Sequence, residues 1–295
     1  MRIYGFMLVK NEVDILQNTL ESLLKFGSFE HVYIFDNGST DGTYELAKSL
    51  ESSMVSVNKL EKPFSDNLKY ETVYEFSKCF ETGDWFAILD ADELYAEPLL
   101  PIIESAIQHG SNMIATKSAQ FYFSDNEESF AFNPKLPATQ QRNYYLINYG
   151  EPRVFRFEHK KRLSADYVKS NPPYLKQAEQ LLAVMHFQFR SAEQTQLRID
   201  TRIKNNKHSG NWGHITGKNW RSYIVDSKYL HKYDGSLQEG LPDNVNLFRV
   251  RNNAAYSYSN LKWMEQHNYL KGANARIFIA NRFEKLIRKL WSILV

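Results

Sequence analysis

The sequence predicts an α/β protein: a mostly parallel, twisted sheet flanked by helices, followed by a helical C-terminal extension. Three observations carry that expectation. In the first half, short apolar runs alternate with segments whose apolar residues recur at helical spacing, as in strand-helix-strand units. Two of those runs end in Asp36 and Asp90, and an open parallel sheet takes its ligands at the carboxyl ends of its strands. Finally, 295 residues with 43% hydrophobic and 14% aromatic side chains can build the core of one large domain with an appendage, or of two small ones.

Ile3 to Val9 reads as a buried strand. The helix after it keeps Ile15, Leu16, Leu20, Leu23 and Leu24 at helical spacing, with Asn11 and Asp14 as a capping pair. The second strand, His31 to Phe35, runs into Asp36-Asn37-Gly38-Ser39-Thr40-Asp41-Gly42-Thr43, a turn of residues that tolerate unusual backbone angles. Thr43 or Asp41 then caps a helix reaching Leu50. Met54 to Val57 is a short strand, Leu68 to Phe80 a helix, Trp85 to Leu89 the fourth strand, and Pro98 opens another helix. Met113 to Thr116 and Gln120 to Phe123 read as two strands, after which Ser124 to Gly150 loosens into a loop over the site. Arg153 to Phe157 alternates like a strand, Ala183 to Phe187 is another, and Ser191 opens a helix toward Asn205. The remainder reads mainly as helices, which places a boundary between a catalytic domain, 1–205, and an extension, 206–295.

A single cysteine, Cys79, excludes an internal disulfide framework and a Cys-rich zinc site. The apolar start is too short for a signal peptide and no apolar run is long enough to span a bilayer, so a cytoplasmic protein is expected. The net charge of +2 hides an asymmetry: residues 1–130 hold 9 basic and 22 acidic side chains, residues 131–295 hold 27 and 12. An acidic half and a basic half suit an anionic, metal-bound ligand, and a basic half also suits an anionic membrane. No helix-turn-helix, RRM or zinc signature accompanies it, so nucleic acid is not an expected partner.

Asp90 and Asp92 stand one residue apart at the end of the fourth strand, and Glu93 follows. If extended geometry persists through Ala91, both aspartates face one ligand, and two like charges so close call for a cation. Mg2+ or Mn2+ takes oxygen ligands and shares them with substrate phosphates. A solvated acidic turn is the plainer reading of such a motif standing alone. The Asp36 turn is not a calcium loop, because Ala47 occupies the twelfth position, where a bidentate Glu is needed.

Three segments decide between those readings. Val9-Lys10-Asn11-Glu12 after the first strand, Asp36 to Thr43 after the second, and Asp84-Trp85 through Leu89-Asp90-Ala91-Asp92-Glu93 at the fourth resemble, in order and spacing, the family 2 glycosyltransferases. The resemblance covers roughly the first 125 residues and extends more loosely to His186-Phe187-Gln188-Phe189-Arg190-Ser191. It implies a GT-A (Rossmann-like) fold, a nucleotide-diphosphate sugar donor with a UDP-sugar favoured, and Mn2+ or Mg2+ on the acidic motif. Carried across residue by residue, Asn11, Glu12 and Asp36 hold the nucleoside and Asp92, helped by Asp90, holds the metal. His186 completes the metal's shell, and Arg153 or Arg190 grips phosphate oxygens. The acidic pair that supplies the base in inverting members is not found, leaving Glu151, Asp166 and Glu93 as candidates and inversion as the family's expectation.

From Arg276 to Val295, Ile277, Phe278, Phe283, Leu286, Ile287, Leu290, Trp291 and Leu294 recur at helical spacing, with five positive charges against Glu284 alone. Such a helix lies in the headgroups of an anionic bilayer, or docks on the catalytic domain or a partner subunit. The aromatics Tyr144, Tyr145, Trp212, Trp220 and Tyr223 stack on sugars or simply pack. The expected protein is a glycosyltransferase acting on a lipopolysaccharide or capsule glycan, free or lipid-linked, at the inner face of a bacterial membrane. Its rivals are a non-catalytic nucleotide-sugar or glycan-binding scaffold, and a sugar-nucleotide pyrophosphorylase, whose glycine-rich Arg-containing loop is missing after strand one.

Overall fold

The computed structural model describes residues 1–209, 219–243, 245–250 and 253–294, with the backbone alone for 202, 204–209 and 284–294. Trp212 lies outside the described residues. In chain order the elements are β1 (Ile3–Val9), α1 (Leu16–Phe26), β2 (His31–Asp36), α2 (Thr43–Ser49), β3 (Val55–Lys59), α3 (Asp66–Phe76), β4 (Trp85–Leu89), β5 (Glu93–Tyr95), α4 (Leu99–Gln108) and β6 (Met113–Phe121). There follow β7 (Phe123–Ser124), α5 (Ala138–Gln141), β8 (Tyr144–Tyr149), β9 (Pro152–Arg156), α6 (Ala165–Lys169), β10 (Leu182–His186) and α7 (Ala192–Ser209). The last are β11 (Ile224–Val225), β12 (His231–Lys232), α8 (Leu247–Val250), α9 (Tyr258–Gln266) and α10 (Gly272–Leu294). They form two compact units: Met1–Ser118 with Asn133–Ala138 and Gly150–His186, and Ala119–Phe132 with Thr139–Tyr149 and Phe187–Val295.

In the first unit β3, β2, β1 and β4 are parallel, and β9 joins β4 antiparallel. Both faces of this sheet are covered, which is why its strands are apolar almost throughout. Side chains alternate strictly: Met7, Val9, Trp85, Ala87 and Leu89 face Leu16, Leu20, Ile102 and Ile103, while Tyr4, Phe6, Phe86 and Ile88 face Leu68, Val73 and Phe80. A short ladder pairs β5 with β10, setting His186 opposite Glu93. Asp84, buried at the head of β4, clamps β4 to β1: it accepts from Arg2 N (2.8 Å), Arg2 Nη2 (2.8 Å) and Glu81 N (3.0 Å).

The second unit pairs β8 with β12 and β7 with β11, and packs Tyr122, Phe123, Leu146, Tyr256, Met264 and Phe278 into its core. Arg142 is fully buried there. It donates to the carbonyls of Ser129 (3.3 Å), Gln141 (2.6 Å), Ala131 (3.0 Å) and Arg190, with its guanidinium 5.1 Å from the Phe123 ring. Its Nη1 lies 3.6 Å from Glu127, whose two oxygens take no hydrogen bond among the described residues. Burial pushes the Glu127 carboxyl up to about 7, against the pull of Arg142. No helix of the described residues is long and apolar enough to cross a membrane.

Several local expectations need correction. The helix α1 has Ile15 at its N-cap with no side-chain cap, because Asn11 and its neighbours bond elsewhere. Gly42, at φ +95, opens α2, and Asp41 Oδ1 accepts from Thr43 N (3.0 Å). The third helix starts earlier than Leu68, capped by Ser65 Oγ on Leu68 N (3.2 Å), and gives way to a 3-10 turn at Ser77–Cys79. The strand expected at Met113 to Thr116 runs on through Lys117 to Phe121 as β6, in which Ser118 and Gln120 are buried, and the end of the second expected strand, Phe123, belongs to β7. Ser124 to Gly150 is not all loop: it contains α5 and β8, where Tyr145, Leu146 and Ile147 are fully buried. The remainder of the chain carries β11 and β12 as well as helices.

Candidate active site

At the carboxyl ends of β1 and β2 the chain builds a cradle from polar turns. Asn11 adopts the left-handed conformation (φ +57); its N–H donates to Ser39 Oγ (3.0 Å) and its Oδ1 accepts from Thr40 N (2.8 Å). Glu12 N donates to Thr43 Oγ1 (2.8 Å), so the two turns are laced together. Asp36, buried at the end of β2, accepts from Gly38 N and Ser39 N (both 3.1 Å) through Oδ1. Its Oδ2 is equally buried and takes no hydrogen bond among the described residues. A buried acceptor left open in this way is costly unless a ligand donor meets it.

The acidic motif lies after β4. Extended geometry does not persist through Ala91: Glu93 N donates to Asp90 O (3.2 Å), closing a turn, and Thr19 Oγ1 of α1 pins Ala91 O (2.6 Å). Asp90 and Asp92 therefore go to different partners. Asp90 is held by Lys69 of α3 and by Arg153 of β9, one on each oxygen. The cation that the two carboxylates seemed to require is supplied for Asp90 by these side chains. Burial works against its charge, but Arg153 and then Lys69 outweigh it and hold the carboxyl down at about 2.

Arg153 Nη2 also lies 3.2 Å from Glu151 and 3.8 Å from Glu93, and its guanidinium is stabilised by all three carboxylates despite its burial. The Glu93 carboxyl is raised, chiefly by burial. Glu151 is the open member of the group, with 43% of its side chain exposed. Asp92 Oδ2 is 3.4 Å from His186 Nε2, and His186 Nδ1 is 3.9 Å from Glu93.

Asp166 sits exposed in the first turn of α6, accepting from Asn67 Nδ2 (3.3 Å), and takes no part in this network among the described contacts. Arg190 belongs to the second unit, where it is fully buried and its Nη1 donates to Phe187 O (3.0 Å). Lys69 was not anticipated. It stands in the first turn of the helix after β3, and in a parallel α/β unit that turn emerges at the carboxyl edge of the sheet.

Among the described residues no group of three His, Cys, Asp or Glu is arranged to cage a metal ion. The Asp92–His186 pair is nevertheless the right size for half a shell, since two ligands at about 2.1 Å from one ion lie roughly 3 Å or more apart. Mg2+ and Mn2+ commonly take few protein ligands and fill the rest from water and substrate phosphate. The pair fits such an ion.

The family model for glycosyl transferase family 2 matches residues 6–163, from the first strand to beyond β9. The chain belongs to this family. Its mostly parallel sheet flanked by helices is the family's GT-A arrangement. Solved structures similar to it include glucosyl-3-phosphoglycerate synthase from Mycobacterium tuberculosis, in complex with Mn2+, UDP-glucose and phosphoglyceric acid (18% identity, 40% of this chain and 44% of that one, TM-score 0.30). Others are TarS of S. aureus (15%, 73% and 41%, 0.38) and the mannosyltransferase PcManGT from Pyrobaculum calidifontis, in complex with GDP-mannose and Mn2+ (13%, 70% and 61%, 0.39). The chain spans less than half the length of the first two.

Proposed function

We propose that this family 2 member transfers a sugar from a nucleotide-diphosphate donor, a UDP-sugar in the favoured case, to a hydroxyl of a bacterial surface glycan such as lipopolysaccharide or capsule. The observation that carries the reading is the open, buried Asp36 Oδ2 in the same sheet edge region as an acidic cluster already threaded with cations. Asp36, with Asn11 and Glu12, accepts from the nucleoside's N–H and ribose O–H groups. Asp92 and His186 would hold Mn2+ or Mg2+, which when bound offsets the charge appearing on the departing diphosphate. Lys69 and Arg153 exchange part of their grip on Asp90 for phosphate oxygens, Arg153 in a forked geometry.

Glu151 is the base we assign. It is the exposed carboxylate of the cluster, whereas Glu93 is buried with a raised pKa and Asp166 stands apart. As the acceptor oxygen forms its bond to the anomeric carbon, the bond from that carbon to the diphosphate oxygen breaks and the hydroxyl proton passes to Glu151. Attack from the face opposite the leaving group inverts the anomeric centre. The acceptor glycan is lipid-linked in this reading, and residues 276–295 attach the protein to the inner face of the membrane.

Calorimetric binding of UDP, GDP and CDP, each with and without Mn2+, tests the donor site in wild type and Asp92→Ala. Metal-dependent binding of one nucleotide, lost in the variant, is the expected result. Absence of binding under every condition would overturn the transferase reading and leave the glycan-binding scaffold.

A further inference from the structure

Helix α10 has two differently occupied faces. Its packed face is marked by residues four apart. Asn274 donates Nδ2 to Val245 O (2.9 Å) and accepts from Leu247 N of α8 (3.4 Å). Phe278 is buried, its ring 5.7 Å from that of Tyr258 of α9, and Arg282 Nη1 donates to Glu265 Oε2 of α9 (2.9 Å). Ile279 and Phe283, also four apart, are 44% and 62% exposed. At about 100° per residue this second row stands roughly 100–140° around the helix from Phe278.

Single exposed apolar side chains are ordinary, but these do not stand singly. Exposed Arg276 precedes them on the same side. In the sequence Leu286, Ile287, Leu290 and Leu294 follow Phe283 at three, four, seven and eleven residues, a helical spacing. The neighbouring α8 exposes Phe248, with Arg249 exposed beside it in sequence. The row is too charged to cross a bilayer: no helix of the described residues qualifies as a span. From Arg276 onward, Arg282 is taken by Glu265, and the four other basic residues, Arg276, Lys285, Arg288 and Lys289, accompany one Glu, which selects an anionic surface over a neutral one.

We propose that α10 lies in the plane of the headgroups of an anionic bilayer, with the Ile279–Phe283 row inserted and its arginines and lysines on lipid phosphates. This rests on the lipid-linked acceptor reading and deepens it, naming the face that binds the membrane: the side turned away from Phe278. Docking against the protein's own second unit is already satisfied by the other side.

The test is co-sedimentation of the full-length protein with vesicles of phosphatidylglycerol and phosphatidylethanolamine, against vesicles of phosphatidylcholine alone. Wild type, Phe283→Leu and the double variant Ile279→Asp, Phe283→Asp are compared. Wild type and Phe283→Leu should partition to the anionic vesicles, less at high salt. The double variant should bind about tenfold more weakly or worse. Its nucleotide binding, measured on the same preparation, should match wild type; this reports folding and keeps the donor-site reading separate. Equal partitioning of wild type and double variant would overturn the proposal. So would a wild-type dimer in light scattering that the double variant dissociates, because a second copy would then own the row.

Discussion

Asp90 has two cations on its oxygens and Asp92 a histidine, so removing each carboxylate has a different expected result. Asp92→Asn should weaken Mn2+ binding, followed by electron paramagnetic resonance, by about tenfold or more, whereas Asp90→Asn should change it by less than about threefold. Comparable losses in both would return Asp90 to the metal shell. Glu151→Gln should lower kcat by roughly 10²–10⁴ with donor affinity unchanged; a shift in donor affinity alone would make Glu151 a partner of Arg153 and nothing more. Asp36, Asp90 and Asp92 sat in motifs and were named from them, whereas Glu151 was named from outside any motif, as one of three alternatives for the base, and Arg153 as an alternative to Arg190. Lys69 was not named, because one lysine on an amphipathic helix looks like any solvated charge. Its part in the site shows only in the fold, where its ammonium meets Asp90 from 21 positions away in sequence.

Strands β1 and β4 were readable to the residue because both faces of the sheet are covered and no polar residue interrupts them. β6 was divided in two by Lys117 and Ser118, since a half-buried lysine beside a buried serine inside a strand carries no periodic signal. β8 was lost for a related reason: Tyr144 to Tyr149 is six residues long and follows a polar, proline-containing stretch that suggested a loop. At the end of α1 a close approach makes a sharp prediction. A Cβ at Gly27 would lie 2.0 Å from the buried Phe29 ring and 2.6 Å from Leu23 O. Gly27→Ala should therefore cost on the order of 1–3 kcal/mol in urea unfolding. An unchanged midpoint would mean that Phe29 has room to move.

Across the whole molecule, buried carboxylates pull stability in opposite directions with pH. Asp84 and Asp90 are depressed below their ordinary values, so the stability they contribute is present above about pH 4 and lost as pH falls further. Glu127 is raised from 4.5 to about 7, so its contribution is complete below about pH 4.5 and lost as pH rises through 7. Glu127→Gln imitates the protonated form. It should match wild type in unfolding free energy near pH 4 and exceed it near pH 8.5 by on the order of 3 kcal/mol. A variant less stable than wild type at both values would mean that the ion pair with Arg142 outweighs the burial of its charge. The charge division between the halves was plain in the sequence, but this buried pair was not, since nothing local distinguishes Glu127 from Glu128. The ladder of β5 and β10 joins parts of the chain that lie far apart in sequence, and its register alone sets His186 across from Glu93. One residue inserted between Leu182 and His186 would turn the imidazole to the opposite side of the strand, away from Glu93.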